Sequence, residues 1–503
     1  MRLAKTGIGW LVVFFIGMFG VGCANPTVVP LYESPTPERI TQSPLVEAFP
    51  TAVPSTPTLE VIQPEPLQPA LPSYSIDAVY DAAQKKVNVT QLITFTPPST
   101  KPIHEITLIA EPNRYTNGFV LSRLENQATG QELDWELQGN RLKIGLADPL
   151  TDQQSLTILA EYTLQLPEIP PPSDTSKPQI FGYTQRQTNL VDWYLWLPPY
   201  EDEAGWVIHP PSFFGEYTVY PMADFEVHFE VINSPRQVIV AATSSPVEQT
   251  QNEWKYRLDS ARNFALSVSA DFQVAETEVE GVKISSYYFP LYKRQGEAVL
   301  QHTVQAYQLY SELFGELPRS SISAVQADFM DGMEFDGLFF LSKGFYDLYD
   351  GTDRGYLTLI TVHETAHQWW YTVVANDQAQ HPWLDEALCT YAERLYYERF
   401  LSESVEWWWY YRVNFYQPTG VIDLSVYDYK GYLAYRDAVY LRGALFLEEL
   451  RKELGDEPFF AGLKNYYTEN MGKIAVPQDF FGAFDLTEQV VLEKWGSYFG
   501  REQ

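Results

Sequence analysis

Cysteine is almost absent from this chain of 503 residues: only Cys23 and Cys389 occur. No disulfide framework is available, so the fold must rest on packed cores. Basic residues are also few, 34 Lys and Arg against 65 Asp and Glu, which leaves a formal charge of −31. A surface of that sign repels phosphate backbones and argues against any nucleic-acid partner. Long apolar runs are missing except at residues 7–22. That one falls short of the roughly 20 residues a membrane-spanning helix needs. No internal repeat is evident. What remains is 45% apolar and 15% aromatic, long enough for two or three globular domains with sizeable cores.

The charged start at Arg2 and Lys5, the short apolar run and the small residues before Cys23 read together as an export signal over residues 1–23. Its end, Gly20-Val21-Gly22-Cys23, looks like a bacterial lipoprotein signal, in which Cys23 is lipidated after cleavage. Ordinary cleavage beside Cys23 and an uncleaved signal anchor are the alternatives. All three place the body of the protein outside the cytoplasm, and two of them make the membrane of a bacterial cell its partner. Residues 24–72, dense in Pro, Thr and Ser, read as a disordered tether.

From 73 to 290 the pattern is short and β-like. Alternation shows in V-N-V-T-Q-L-I-T-F at 87–95, F-E-V-H-F-E-V-I at 225–232 and F-A-L-S-V-S-A at 264–270, between Asn, Gly, Pro and Asp turns. A β-sandwich or saddle-shaped sheet is expected, with an exposed loop at 166–178 around Pro170-Pro171-Pro172. Past 290 the period becomes helical. Residues 292–315 predict a helix ending on Gly315, followed by strands at 322–329 and 337–341 and a helix over about 356–374. The rest, to 503, reads as largely helical. The expected fold is α+β and multidomain: a β domain at 73–290, then a mainly helical domain at 291–503.

The chemistry concentrates at 362–386. His363 and His367 stand four apart, one turn above each other on one helix face. With Glu364 between them they form H-E-x-x-H, two zinc ligands and a general base for an activated water. A catalytic zinc needs a third protein ligand, and Glu386 offers itself, with eighteen residues between it and the second histidine. Thr390 and Glu393 follow at i+4 and i+7 from Glu386, on its helix face, where they can orient the imidazoles. Cys389 reads as a small buried hydrophobe. The run Trp407-Trp408-Trp409-Tyr410-Tyr411 points all round a helix, and core packing is favoured over a substrate-side wall.

These residues resemble the aminopeptidase N family of zinc metallopeptidases, gluzincins with a thermolysin-like catalytic domain. The family's pattern is H-E-x-x-H, eighteen residues, then E, often within W-L-N-E-G-F-A. Here the second half is Trp383-Leu384-Asp385-Glu386-Ala387-Leu388, with Asp385 for the usual Asn. The family's G-x-M-E-N motif, whose glutamate binds the substrate's amino terminus, corresponds to Asp331-Gly332-Met333-Glu334-Phe335. The resemblance thus implies substrate binding by Gly332, Met333 and Glu334. A family tyrosine in Y-x-[KR]-G matches Tyr440-Leu441-Arg442-Gly443 rather than Tyr429-Lys430-Gly431, because only Tyr440 has a residue before the basic one. Gln185 and Gln187 are the two candidates for a family glutamine of the β domain that lies near the substrate. The chain stops where many members begin a large C-terminal helical domain, which implies a more open cleft.

The resemblance implies one zinc per chain on His363, His367 and Glu386, and hydrolysis of a peptide bond beside a free amino terminus. Glu364 would be the base, Tyr440 the donor to the developing oxyanion and Glu334 the partner of the substrate's α-ammonium. An endopeptidase or short-peptide-releasing enzyme with no need for a free terminus is the alternative within enzymes. A non-catalytic zinc-containing surface binding protein is the alternative outside them.

Overall fold

The computed structural model describes residues 71–99, 101–171 and 178–500. The export signal, nearly all of the tether and Cys23 lie outside the described residues, as do residues 172–177 of the proline-rich loop. An eight-stranded sheet runs, edge to edge, through Glu248–Gln249, Glu253–Ala261, Ala223–Ile232, Ser73–Asp81, Lys86–Phe95, Leu156–Gln165, Val120–Asn126 and Gln131–Glu132. Ser73–Asp81 lies parallel to Ala223–Ile232, and the other pairs are antiparallel. Period-two alternation makes these strands: Val87, Val89, Ile93 and Phe95 turn inward from Lys86–Phe95. Gln91 shares that inner face. Its amide is satisfied by Leu195 N and O (3.0 and 2.7 Å) and the Tyr162 hydroxyl (2.7 Å), so burying it costs little. A four-stranded, a three-stranded and a two-stranded sheet complete the β-rich half.

The second half is mainly helical around one five-stranded sheet, ordered Gln273–Val279, Val282–Tyr288, Ser321–Ala327, Leu338–Ser342, Gly332–Phe335. Its three inner strands run parallel, and an antiparallel partner closes each side. The sheet begins at Gln273, ahead of the division expected at 290. A change of period marks where helices begin but not which sheet a strand joins. Helix α1, Lys293–Leu313, buries Val299, His302, Thr303, Ala306 and Tyr310 along one stripe. It stops at Gly315, whose φ of +136° suits glycine and whose missing Cβ leaves room for the Tyr467 ring.

Helix α2, Tyr356–Ala366, is buried all round after its first residue and packs between α1 and helix α3, Trp383–Phe400. The expectation that α2 runs to 374 is corrected: regular helix ends at Ala366, with His367 as its cap. Two causes act together. Trp369-Trp370-Tyr371-Thr372-Val373-Val374 is aromatic and β-branched, which weakens helix propensity. In addition, the Arg262 guanidinium, arriving from the β-rich half, takes the carbonyls of Thr372 (3.1 Å), Val373 (3.2 Å), Tyr220 (3.1 Å) and Lys473 (2.7 Å). Tyr371 is left at φ +145°, an uncommon backbone state for a bulky residue. Its hydroxyl accepts from the Asn263 side chain.

The aromatic run divides. Trp408 is fully buried, while Tyr410 and Tyr411 are more than half exposed on a π-helical turn, Trp409–Val413.

Candidate metal centre

α2 and α3 pack so that three side chains converge. His363 Nε2 lies 3.1 Å and His367 Nε2 3.6 Å from the same oxygen, Glu386 Oε2. Ligand atoms of the three residues all fall within 4.8 Å of one another, and each residue is buried. Both imidazoles are braced through their other nitrogen. His363 Nδ1 meets Glu393 Oε1 at 2.9 Å, and His367 Nδ1 meets the carbonyl of Trp370 at 3.1 Å. An acceptor at each Nδ1 draws the proton there and leaves both Nε2 lone pairs free to bind a cation. Glu393 is itself fixed by Trp408 Nε1 (3.1 Å) and by Arg412 through Nε (2.9 Å) and Nη2 (2.8 Å).

Titration of the cluster reflects its surplus of acids. Burial disfavours the imidazolium at His363, yet the hydrogen bonds it can donate to Glu386 and Glu393 push it up to about 9. Burial opposes the charge on Glu386 as well, but both histidines hold this carboxyl well below the usual range. Positive charge is what the site attracts. Two imidazoles and one carboxylate suit one zinc ion better than a hard oxygen-seeking cation, and a bound cation would displace the protons that the buried acids draw onto the histidines. A second group, Glu334, Glu364 and His367, also brings ligand atoms within 4.8 Å, but it shares His367 and offers a single imidazole.

Glu364, the residue after His363, brings its carboxyl within 4.8 Å of His367 and Glu334. Its Oε2 is buried without a hydrogen-bond partner, and burial raises its pKa well above that of an ordinary carboxyl. Gly332, on the edge strand Gly332–Phe335, lets this carboxylate approach. A Cβ there would lie 2.1 Å from Glu364 Oε1 and 2.7 Å from Ile360 Cγ2. Met333 follows, half-buried, and Glu334 closes the group. Burial, opposed by the charge of His367 and aided by those of Glu216 and Glu386, pushes the Glu334 carboxyl up to about 7. Glu334 Oε1 accepts from Gln378 Nε2 at 2.9 Å.

Tyr440 lies on the π-helical segment Asp437–Arg442. Such one-turn bulges re-aim side chains and recur at functional sites. Its ring stacks on His363 (centroids 5.9 Å apart, planes at 16°) and meets Tyr435 edge-on. Burial, with the negative charge of Glu386, holds its hydroxyl proton firmly. The competitor Tyr429 is occupied elsewhere, its hydroxyl directed at the carbonyls of Val421 and Ile422.

One expectation is not met, and one pair of candidates stays outside the cluster. Thr390 is buried, but its Oγ1 has no hydrogen-bond partner, so it does not orient either imidazole. Its neighbour Cys389 lies closer to that task, with Sγ 3.9 Å from the carbonyl of Trp370 that braces His367. The structure does not bring Gln185 or Gln187 into the metal cluster. Gln185 is exposed, and Gln187 is committed to Ser267 Oγ, Gln326 O and Asp328 N. Sequence reading missed Trp408, Arg412 and Gln378. Trp408 carried one signal, as the central residue of a conspicuous tryptophan run.

Residues 298–496 match the peptidase family M1 domain. Aminopeptidase N of Streptomyces lividans is 27% identical over 147 residues, which is 27% of this chain and 17% of that protein. Aminopeptidase M1-D of Oryza sativa subsp. japonica is 25% identical over 223 residues, 41% of this chain and 25% of its own length. The chain thus spans a quarter or less of these two relatives. The M1 zinc metallopeptidase of Deinococcus radiodurans superposes with a TM-score of 0.59 at 17% identity, covering 86% of this chain and 95% of that one. A point mutant of that enzyme has been solved bound to the substrate Tyr-Ser-Ala, and a mutant two-domain M1 zinc metallopeptidase bound to L-tryptophan. The β-rich and helical halves match that two-domain fold, and the stretch similar to the peptidase family M1 domain encloses every member of the histidine–glutamate cluster.

Proposed function

We propose that this protein is a zinc-dependent aminopeptidase, removing residues from the free amino terminus of peptides outside the cytoplasm. One observation carries the reading: atoms of Glu334, Glu364 and His367 lie within 4.8 Å of one another. Consecutive Cα atoms are about 3.8 Å apart, so an ammonium held on Glu334 leaves room for one residue before the chain reaches Glu364. The tripeptide and the amino acid carried by the two mutant M1 enzymes support the same substrate class.

Zinc on His363, His367 and Glu386 would supply Lewis acidity and a lowered pKa for water. Glu364 takes the proton of the attacking water on its unpartnered Oε2 and passes it to the leaving nitrogen. Its raised pKa makes accepting that proton easy. Tyr440 keeps its proton and donates it in a hydrogen bond to the oxyanion, a charge that exists only on the way to product. Glu334 holds the α-ammonium and so sets how far into the peptide the cut falls.

The test compares Tyr-Ser-Ala with N-acetyl-Tyr-Ser-Ala, with and without chelator. Release of tyrosine from the free peptide alone, abolished by chelator and restored by zinc, is the expected result. Equal cleavage of both peptides would make the enzyme an endopeptidase, and cleavage of nothing in a broad peptide panel would make it a binding protein. Export and anchoring are proposed on residues 1–23 alone. Replacing Cys23 with Ala should release a lipidated protein from the membrane fraction, and unchanged partitioning would refute lipidation.

A further inference from the structure

Ahead of α3 the chain makes a tight loop. Asp377 fixes it, with Oδ1 accepting from Ala379 N and Gln380 N (both 3.1 Å) and Oδ2 2.7 Å from His209 Nε2 of the β-rich half. Asn376 pins the same loop to α3, its Nδ2 donating to His381 O (3.0 Å) and Asp385 Oδ1 (3.2 Å). Between these anchors Gln378 is buried, and its amide nitrogen donates both hydrogens inward: 2.9 Å to Glu334 Oε1 and 2.8 Å to Asp385 Oδ2. Two carboxylates converging on one amide fix which way it faces, since the amide oxygen could satisfy neither.

We infer that Gln378 is a positioning residue for the amino-terminus pocket, holding the Glu334 carboxylate toward the substrate's ammonium while leaving its charge unspent. This rests on the aminopeptidase reading above. Glu334 and Asp385 are both buried, and both belong to the negative surroundings of Glu386. Without a donor between them nothing would tie the two carboxyls together or fix the direction in which Glu334 faces. A lysine or arginine in that place would supply the donor but also neutralise Glu334, competing with the ammonium it is meant to bind. A neutral amide separates the two acids and occupies Oε1 with a single hydrogen bond. Gln378 makes no contact with the other oxygen, Oε2, and leaves it to the substrate. Gln378 touches no reacting atom, so its effect should fall on binding rather than on the chemical step.

The test uses the zinc-loaded full chain with Gln378→Met, similar in volume but without donors. KM for Tyr-Ser-Ala and Kd for L-tryptophan by calorimetry should each rise about tenfold, the cost of one hydrogen bond to a charged group. By the same reasoning kcat should change less than about threefold. In a Glu334→Gln background the same substitution should leave Kd unmoved, because the amide acts through that carboxylate. Gln378→Asn keeps the amide on a shorter stem and should raise KM by a smaller factor. Unchanged KM in both variants, or an equal rise in Kd with and without Glu334, would overturn the inference. So would loss of zinc or of folding in both variants, which would make the amide a structural strut. The aminopeptidase reading fails separately, if the wild type cleaves N-acetyl-Tyr-Ser-Ala as readily as the free peptide.

Discussion

Glu393→Gln tests how the centre holds its cation. The carboxylate is fully buried and receives four hydrogen bonds: one from His363 Nδ1, one from Trp408 Nε1 and two from Arg412. Glutamine keeps the shape, loses the charge and turns one acceptor into a donor. It weakens the brace that puts the His363 proton on Nδ1, and it leaves the Arg412 guanidinium buried without its anion. Losing such a brace typically costs about 10- to 100-fold in metal affinity. Breaking one side of a buried ion pair costs about 3–5 kcal/mol of stability. The two effects separate in the double variant Glu393→Gln/Arg412→Met, which removes the stranded charge and should recover most of the stability but none of the zinc affinity. Competition against a fluorescent chelator gives the zinc Kd, and chemical denaturation of the metal-free protein gives stability. Wild-type zinc affinity in Glu393→Gln would refute the argument that this carboxylate tunes the ligand.

Three further outcomes are expected. Tyr440→Phe should lower kcat by about 100- to 1,000-fold, the range for a lost oxyanion donor, with little change in KM. Gly332→Ala puts a methyl 2.1 Å from Glu364 Oε1. Clearing it moves the base by about 1 Å, enough to cost about a hundredfold in kcat, with zinc content unchanged as the control. His302 is held neutral by burial, with its pKa lowered to about 4 despite the opposing charge of Asp353, and its ring bonded to the hydroxyls of Tyr396 and Thr358. The unfolded chain therefore takes up a proton first as pH falls. Stability present above about pH 6.5 should be lost between there and about pH 4, by about 3 kcal/mol in all. Denaturation across that range should show the slope in the wild type, and His302→Gln should flatten it.

Much of the centre was legible because helical spacing is a geometric rule. A step of four from His363 to His367 means one face, and a step of seven from Glu386 to Glu393 means the same face again. The rule names a face but not a neighbour. Thr390 satisfies it as well as Glu393 does, yet only Glu393 finds an imidazole. Arg412 and Gln378 come from a π-helical turn and a loop with no periodic signal, so their role depends wholly on tertiary contact. The turn after His367 was illegible for a sharper reason. No glycine or proline marks it, and the group that enforces it, Arg262, is 110 residues away from Thr372 in sequence.

That arginine has a bearing on how the protein could be cut. Arg262 stands in the β-rich half, donates to carbonyls of the turn behind the zinc helix and of Lys473 near the far end, and through its own backbone N–H grips Asp336, which Arg319 also holds. A catalytic half expressed alone from residue 291 would be made without this clasp and without two strands of its own sheet. The metal-centre half is therefore not a portable module, and an engineer who wants it must take the β-rich half with it.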